Sequence, residues 1–286
     1  MKFFVTGATG FLGTYFVQHA IQAGHSVKAL KRPGSPARAA IPGVQWVDLE
    51  LDQVEASNLE GCDALVHFAA AGVSPKQASR LELMHWNVTA SQLLLERAHT
   101  AGLQRVVVAG SFAEYGLSAD KYDLIPPNAP LLPTTSYASS KAACFVTCHA
   151  TAVELGLELC YLRVFSAYGE GQFESNFWPA LRKAALEGRD FEMTAGEQIR
   201  DYVPVDDVAI AFLYAASRDD IVKGEPTVYN VGSGRPVTMR AFAEDCWNRL
   251  HAKGQLKVGA LPYRANEVMR FAPLITEPKL PSGERS

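Results

Sequence analysis

A glycine-rich turn between a short apolar strand and a helix is the feature that most constrains the fold of this 286-residue chain. Glycines stand at positions 7, 10 and 13, directly after the apolar run 3–6 and at the start of an amphipathic pattern. Glycine lets the backbone turn tightly and approach a phosphate, and a helix N-terminus offers free N–H groups. Three glycines are common in loops, but their place between a strand and a helix favours a turn that holds a dinucleotide pyrophosphate.

Short apolar runs alternate with helical patterns as far as residue 165. After the first strand, the runs predict strands at 26–30, 44–48, 63–68, 105–109 and 157–164. Helical spacing predicts helices at 11–23, 76–101 and 136–156. Gly24 and Gly102 follow the first two helices, where a glycine cap is expected. This alternation predicts an α/β fold built on a doubly wound parallel sheet of the Rossmann type.

The spacing of the elements becomes irregular after residue 165, where helices are predicted at 173–188 and 238–251 and a strand at 227–231. We therefore expect two parts. The dinucleotide-binding domain comprises 1–165, with 203–233 returning to it, and a smaller C-terminal substrate lobe comprises 166–202 and 234–286. The segment 120–135 carries four prolines and is predicted to be a loop over the site: Pro126, Pro127, Pro130 and Pro133.

The bulk composition excludes several classes of protein. With 48% hydrophobic and 20% charged residues the chain is typical of a globular protein, and its net charge of −3 indicates neither a nucleic-acid nor an anionic-membrane partner. The sequence has neither an apolar run of about 18 residues nor a signal-peptide pattern. Five cysteines scattered through apolar segments predict reduced thiols and a cytoplasmic location. Cys144 and Cys148 share a helix face without completing a zinc site, so we expect no metal.

The strand tips indicate which dinucleotide is bound. The second strand ends in Lys31 and Arg32, where an acidic residue would hold the ribose hydroxyls of NAD. Two basic side chains can instead hold the 2′-phosphate of NADP, so NADP(H) is favoured and NAD(H) is the alternative. Asp48, at the tip of the third strand, is placed to take the adenine amino group. Small residues at 69–72 let a flat cofactor lie close to the fourth strand.

Three residues carry the predicted chemistry. Ser111 follows the fifth strand, and Tyr137 and Lys141 lie one turn apart on the same face of a helix. A phenol with a pKa of about 10 is a poor acid–base catalyst at neutral pH, and a nearby ammonium group lowers that pKa. Ser111 would supply a hydroxyl to the same substrate oxygen. His67, at the end of the fourth strand, is predicted to be a packed histidine and not a catalyst.

Taken together, the motifs resemble those of extended short-chain dehydrogenase/reductases of the NAD-dependent epimerase/dehydratase family, which act on nucleotide sugars. The resemblance covers about residues 1–270. It rests on 6–13, the segment around Ser111, Tyr137 with Lys141, 162–169, 200–208, 230–234, and 262–264 with Glu267.

The resemblance implies a role for each matching residue. Ser111, Tyr137 and Lys141 would be the catalytic triad. The implied cofactor-binding residues are Gly7, Thr9, Gly10, Phe11, Leu12, Gly13, Lys31, Arg32, Asp48, Leu49, Phe68, Ala69, Ala70, Tyr137, Lys141 and Phe165. The implied substrate-binding residues are Ser74, Ser111, Phe112, Glu114, Asn176, Arg200 and Arg264, the two arginines contacting the diphosphate or the nucleotide. A homodimer through the helices predicted at 76–101 and 136–156 is implied by the family alone.

Departures from the family pattern reduce the number of reactions that the resemblance implies. The 4,6-dehydratases of the family resemble Thr-Asp-Glu where this chain has Ser111-Phe112-Ala113, so dehydration is disfavoured. Ser166 stands where many members carry a substrate-contacting asparagine. The leading hypothesis is a 4-ketoreductase acting on a nucleotide-activated 6-deoxysugar. The alternative is a nucleotide-sugar 4-epimerase with bound NAD, and a third hypothesis is a non-catalytic NADP-binding sensor.

Overall fold

The computed structural model describes residues 1–35, 41–264 and 267–276. Its strands are β1 Lys2–Thr6, β2 Ser26–Lys31, β3 Val44–Asp48, β4 Ala64–His67, β5 Arg105–Ser111, β6 Glu158–Val164, β7 Ser166–Tyr168, β8 Phe191–Met193, β9 Ile199–Arg200, β10 Tyr202–Pro204, β11 Thr227–Val231, β12 Val237–Thr238, β13 Leu256–Val258 and β14 Arg270–Phe271. Its α-helices are α1 Phe11–Gln22, α2 Ala56–Leu59, α3 Arg80–Met84, α4 Ala90–Thr100, α5 Ser136–Leu155, α6 Phe177–Leu186, α7 Val205–Ser217 and α8 Met239–Arg249.

Seven strands form a central sheet in the order β11-β6-β5-β4-β1-β2-β3, and all of its pairs are parallel. The predicted doubly wound parallel sheet is thereby confirmed. The strand order reverses between β1 and β4, and in open sheets of this kind ligands bind in the crevice at the carboxyl ends of the strands beside that point. The glycine turn follows β1, and the small residues 69–72 follow β4.

Both faces of the sheet are covered, so β1, β4, β5 and β6 are buried along almost their whole length. The outer strands β2 and β3 carry exposed or half-buried polar residues. On one face, Phe16 and Val17 of α1 and Phe212 of α7 pack against the sheet in one buried cluster. On the other face, Leu94 and Leu95 of α4 join a second cluster with residues of α5. Helix α7 was not predicted from the sequence, and it packs along α1 with a contact of 2.9 Å between His19 Nε2 and Asp206 Oδ1.

The helix predicted at 76–101 is wrong in its bounds and in its regularity. It begins at Arg80, because the Ser79 hydroxyl accepts the Glu82 N–H and the Glu82 carboxylate accepts the Ser79 N–H. Residues His85–Thr89 then widen into a π-helical turn before α4 continues. Turns of this kind often stand at functional sites.

The later elements form smaller units. Strand β11 returns to the central sheet beside β6, whereas α6 and α8 share a separate buried cluster with residues of β8 and β13. The helix predicted at 173–188 is shorter, Phe177–Leu186. The loop predicted at 120–135 begins later, because its first two residues end a 3₁₀ helix, Leu117–Lys121. The remainder, 122–135, contains no helix or strand, but it is tied down: the Ile125 N–H donates to the Ala272 carbonyl at 2.7 Å.

Within the described ranges, none of the helices is long and apolar enough to cross a membrane. The same part of the chain holds no group of three or more metal-ligating side chains.

Candidate active site

The glycine turn is closed so tightly that side chains are excluded from two of its positions. Gly7 has φ +68°, and a Cβ there would lie 2.6 Å from the Ala69 nitrogen, while a Cβ on Gly13 would lie 2.2 Å from the Gly7 oxygen. The N-terminus of α1 at Gly10 has neither a side-chain cap nor an acidic residue in its first turn. Its free N–H groups and partial positive charge therefore fit a dinucleotide pyrophosphate.

The other predicted residues of this turn surround that helix end. Thr9, Phe11 and Leu12 are half-buried, and a Cβ built on Gly169 would lie 3.8 Å from Phe11 Cε2. The Tyr15 hydroxyl, one turn along α1, donates to the Glu170 carbonyl at 3.1 Å. The cofactor turn is thus in direct contact with the segment that follows β7.

Lys31 and Asp48, at the ends of β2 and β3, were predicted to bind different groups of the cofactor, but in the structure they form an ion pair. Lys31 Nζ lies 2.5 Å from Asp48 Oδ1, and the Leu49 N–H donates to the Lys31 carbonyl at 3.2 Å. Arg32 is exposed beside them. The carboxylate predicted to take the adenine amino group therefore neutralises one of the two predicted phosphate-binding cations.

The residues after β4 are held by the core beneath them. The Phe68 ring packs on Phe212 at a centroid distance of 4.6 Å, and Ala69 and Ala70 follow it, half-buried. His67 Nδ1 is 2.6 Å from Thr6 Oγ1 and its Nε2 is 2.9 Å from Ser91 Oγ, and burial lowers the pKa of His67 to about 3. His67 is therefore a neutral, packed histidine, as predicted.

Helix α5 carries Tyr137 and Lys141 and places them beside Ser111, the last residue of β5. The three predicted catalytic residues thus meet at the carboxyl ends of β4 and β5. The Lys141 side chain is 4% exposed and its ammonium donates to the Ala109 carbonyl at 2.7 Å. The Tyr137 ring lies against Gly72, where a built Cβ would be 3.5 Å from Tyr137 Cδ2. The Ser111 hydroxyl is close enough to the Tyr137 phenol to lower its pKa.

The pKa of Tyr137 is shifted in the direction opposite to the prediction. Burial raises the pKa of Tyr137, the Lys141 ammonium lowers it, and the nearby Glu114 carboxylate raises it. Lys141 acts in the predicted direction, but burial outweighs it, so the pKa of Tyr137 lies above its ordinary value of 10.0 and not nearer neutrality. The phenol is held in its protonated form, as a proton donor.

Asn87 supports this arrangement and was not predicted to take part in it. It lies in the π-helical turn, and its side-chain amide donates to Ser140 Oγ at 2.9 Å and accepts the Ala71 N–H at 2.7 Å. The Ser140 hydroxyl in turn donates to the Tyr137 carbonyl at 2.8 Å. Asn87 thus joins the loop after β4 to the first turn of α5. The sequence Asn87-Val88-Thr89 matches the N-glycosylation pattern, but this pattern does not predict the contacts of Asn87 with Ala71 and Ser140.

Glu114, predicted to contact substrate, is fully buried and contacts protein groups only. Its carboxylate accepts hydrogen bonds from the Ser111 N–H, the Tyr161 hydroxyl and the Arg163 guanidinium. A role of Glu114 in substrate binding stays a prediction. The S-x-x-E spacing from Ser111 to Glu114 is a capping-box pattern, and it could have revealed the actual contact.

Two aromatic residues of the prediction lie in the adjoining core. Phe165 is 2% exposed, so its side chain presents almost no surface to a cofactor. Phe112 packs on Phe165 and Phe271 at centroid distances of 5.6 and 4.8 Å, and it remains half-buried at the edge of the site.

The two predicted diphosphate ligands are placed differently. Arg200 is mostly buried, and its guanidinium donates to Glu267 Oε1 at 2.9 Å and to the Val268 carbonyl at 2.8 Å. The Arg200 guanidinium is thus held by protein groups at 267–268. Arg264 is exposed on the adjoining segment.

Ser74 and Asn176, also predicted to bind substrate, lie in the loops after β4 and before α6. Ser74 is exposed. Asn176 is half-buried at the N-terminus of α6, and its side chain does not cap that helix.

Comparison with known proteins identifies the family to which the chain is similar. The model of the NAD dependent epimerase/dehydratase family matches residues 3–232. UDP-glucose 4-epimerase of Corynebacterium glutamicum is 26% identical over 86% of this chain and 79% of its own length. The dTDP-6-deoxy-L-talose 4-dehydrogenase (NAD(+)) of Aggregatibacter actinomycetemcomitans is 25% identical over 94% of this chain and 98% of its own. The structure of MoeE5 in complex with UDP-glucuronic acid and NAD is similar, with a TM-score of 0.83, 28% identity and coverage of 96% and 90%.

Proposed function

Because the chain belongs to the NAD-dependent epimerase/dehydratase family, we propose that it reduces the 4-keto group of a nucleotide-activated 6-deoxysugar. The observation that carries the proposal is the approach of Ser111, Tyr137 and Lys141 at the carboxyl ends of β4 and β5, beside the glycine turn. A hydroxyl, a phenol and an ammonium group in this arrangement can bind and protonate one substrate oxygen.

Each of the three side chains has its own role in the proposed reaction. When bound, the reduced nicotinamide supplies a hydride to C4 of the sugar. The Tyr137 phenol donates its proton to the C4 oxygen, and the Ser111 hydroxyl donates a hydrogen bond to the same oxygen. The Lys141 ammonium stabilises the phenolate that remains, because a cation one helical turn away favours the charged form.

One comparison supports reduction over the other reactions of the family. The relative from Aggregatibacter actinomycetemcomitans is named a 4-dehydrogenase, the reverse direction of the proposed reduction, and it matches almost end to end.

We propose NADP(H) as the preferred cofactor. Arg32 is exposed and Lys31 lies beside it at the tip of β2, so both can reach a 2′-phosphate. Asp48 opposes this preference, since it pairs with Lys31. NAD(H) is the alternative, in keeping with the NAD printed for MoeE5 and for the 4-dehydrogenase.

A nucleotide-sugar 4-epimerase is the second candidate, because the relative from Corynebacterium glutamicum carries that name. An epimerase would use the same Tyr137 and Lys141, but it would remove the C4 hydrogen as hydride and return it to the opposite face. Tyr137 would then have to act first as a base and afterwards as an acid.

The test is to incubate the protein with NADPH or NADH and a panel of 4-keto-6-deoxy nucleotide sugars. Reduction consumes the reduced cofactor in stoichiometric amounts, which is read from its absorbance, and gives one C4 alcohol by NMR. C4 epimers formed from a nucleotide sugar without added cofactor would overturn reduction in favour of epimerisation. Binding of NADPH without turnover of any substrate would leave the sensor hypothesis.

We further propose that the protein forms a homodimer through α3, α4 and α5. Apolar side chains on the outer surfaces of α3 and α5 are exposed: Leu81, Met84, Val146 and Val153. Val146 and Val153 are seven residues apart and therefore lie on one face of α5. A second copy of the chain would cover this apolar surface.

A further inference from the structure

A buried ion pair lies directly beneath Ser111. Glu114 is 0% exposed and Arg163 is 1% exposed, and Glu114 Oε2 is 2.6 Å from Arg163 Nε. Charged side chains are rarely buried this completely unless they are paired and hydrogen-bonded. Glu114 lies on the turn that follows β5, and Arg163 lies near the end of β6. Both residues are therefore at the carboxyl ends of the strands, where the candidate site is.

The Glu114 carboxylate is fully used by protein groups. Its Oε1 accepts the Ser111 N–H at 2.7 Å and the Tyr161 hydroxyl at 3.0 Å, and its Oε2 accepts from Arg163. The carboxylate thus contacts the backbone of a residue that is proposed to bind substrate. We propose that Glu114 is a positioning residue that fixes the Ser111 turn, an inference that rests on the proposed function.

The conformation of Ser111 within this turn is held by two hydrogen bonds. Ser111 is extended, with φ −141° and ψ 139°, and its Oγ accepts the Ala113 N–H at 3.2 Å. Since this contact occupies the hydroxyl oxygen as an acceptor, the hydroxyl hydrogen is left to donate. Glu114 closes the turn from the other side by holding the Ser111 N–H. The two contacts together set the direction of the hydroxyl toward Tyr137.

Arg163 in turn fixes Glu114. Its guanidinium donates to the Pro127 carbonyl at 2.7 Å and lies over the Phe145 ring, 4.3 Å from the ring centroid. A flat cation held on an aromatic face and by a carbonyl has few alternative positions. The pair therefore links Ser111 to the proline-bearing segment that was predicted to cover the site.

Gly110 is part of the same unit. A Cβ at this position would lie 2.3 Å from Tyr161 Cε1 and 3.0 Å from Glu114 Oε1. The carboxylate and the tyrosine ring thus occupy the space that any side chain at position 110 would need. The glycine before Ser111 and the glutamate three residues after it depend on each other.

A second ion pair provides a matched control. Arg105 and Glu158 are also mostly buried and join β5 to β6, with Arg105 Nη2 2.9 Å from Glu158 Oε2. They stand at the amino ends of these strands, away from Ser111. Loss of either pair should cost stability, because removal of one partner leaves a buried charge uncompensated. Only loss of Glu114 should change the behaviour of Ser111.

The experiment combines a double-mutant cycle with hydrogen exchange. Glu114→Ala, Ser111→Ala and the double variant are compared in 4-keto sugar reduction, with Glu158→Gln as the control. We expect E114A to lower kcat at least tenfold with little change in the Kd of the cofactor, and to lower it less than twofold in the S111A background, because residues that act as a unit are not additive. E158Q should retain wild-type kcat.

Hydrogen exchange reads the same contact without substrate. The amides of 111–116 should exchange faster in E114A than in the wild type, whereas in E158Q they should keep their protection. If E114A does not fold, Glu114→Leu combined with Arg163→Leu removes both charges and takes its place.

The outcomes separate the two proposals. Independent losses in the cycle, or unchanged exchange at 111–116, would overturn the role of Glu114 in an active reductase. A wild-type protein that turns over no nucleotide sugar would refute the proposed function, whatever the exchange shows.

Discussion

The Lys31 ammonium lies 2.5 Å from the Asp48 carboxylate, across the last register pair that β2 and β3 form. Asp48 is about half exposed, so the pair stands at the surface and not in the core. In the proposed placement of the cofactor, the charged side chains of Lys31, Arg32 and Asp48 face its adenosine end.

Asp48→Asn should strengthen NADPH binding about two- to fivefold, because it frees Lys31 from a partly exposed ion pair worth at most about 1 kcal/mol. Arg32→Ala should weaken NADPH binding by a similar factor. Arg32→Ala should not alter NADH binding, since NADH lacks the 2′-phosphate. Asp48→Asn should not alter it either, because the asparagine oxygen can still accept from the adenine amino group. Fluorescence titration of both cofactors checks this, with Asp220→Asn, which removes the partner of Arg218, as the control. Equal effects on NADPH and NADH would contradict the charge argument.

Tyr137→Phe should lower kcat by about 10²- to 10⁴-fold, because it removes the proton donor while keeping the ring that packs against Gly72. The Kd for NADPH should stay within about threefold of the wild type. Stopped-flow turnover and cofactor titration measure the two quantities. Wild-type activity in Y137F would exclude Tyr137 as the acid.

The pH dependence of the two reaction directions should differ. Since the pKa of Tyr137 lies above 10.0, the phenol stays protonated through neutral and moderately alkaline pH, and reduction should be nearly independent of pH there. Oxidation of the C4 alcohol needs the phenolate, so its rate should rise about tenfold per pH unit. Initial rates between pH 7 and 9.5 test this. A reduction rate that falls steeply across this range would show that the pKa is not raised.

His67 should make the folded protein sensitive to acid. Its folded-state pKa of about 3 lies below its ordinary value of 6.5, so between these values the unfolded chain binds a proton that the folded chain refuses. The free energy of unfolding should therefore fall by about 1.4 kcal/mol for each pH unit below 6.5 on account of this group. Urea unfolding of the wild type and His67→Gln at several pH values measures the slope. Identical slopes would assign the acid sensitivity to other groups.

Leu81→Glu should dissociate the proposed homodimer, because Leu81 is 83% exposed on α3 and a carboxylate there cannot be buried against a second copy without a large cost. Sedimentation velocity gives the oligomeric state. Leu186→Glu, at an exposed position on α6, is the matched control and should remain dimeric. A wild-type protein that sediments as a monomer would refute the dimer.

The sequence alone was sufficient for the central sheet. The strands predicted at 44–48 and 227–231 match β3 and β11 residue for residue, because each is a short run rich in β-branched and aromatic residues. Helix α7 was missed, since its first residues, 205–208, were read only as part of a motif.

The site was harder to predict where a role depends on three-dimensional contacts. Asn87 acts through Ala71 and Ser140, which are 16 and 53 residues away. The family resemblance implied that Glu114 is a substrate ligand, and the sequence carried no sign that its carboxylate is buried against Arg163. Burial also decides the pKa of Tyr137, and the spacing of Tyr137 and Lys141 carries no information about burial.

Strand β11 completes the sheet from a position more than sixty residues beyond β6. During synthesis, β6 therefore emerges long before its outer neighbour and presents an apolar edge with unpaired backbone groups. A fragment that ends near residue 165 would keep this edge open and would tend to aggregate, even though it contains the glycine turn and all three proposed catalytic residues. The cofactor half of the molecule thus depends, for its solubility as an isolated piece, on a strand supplied by the second half.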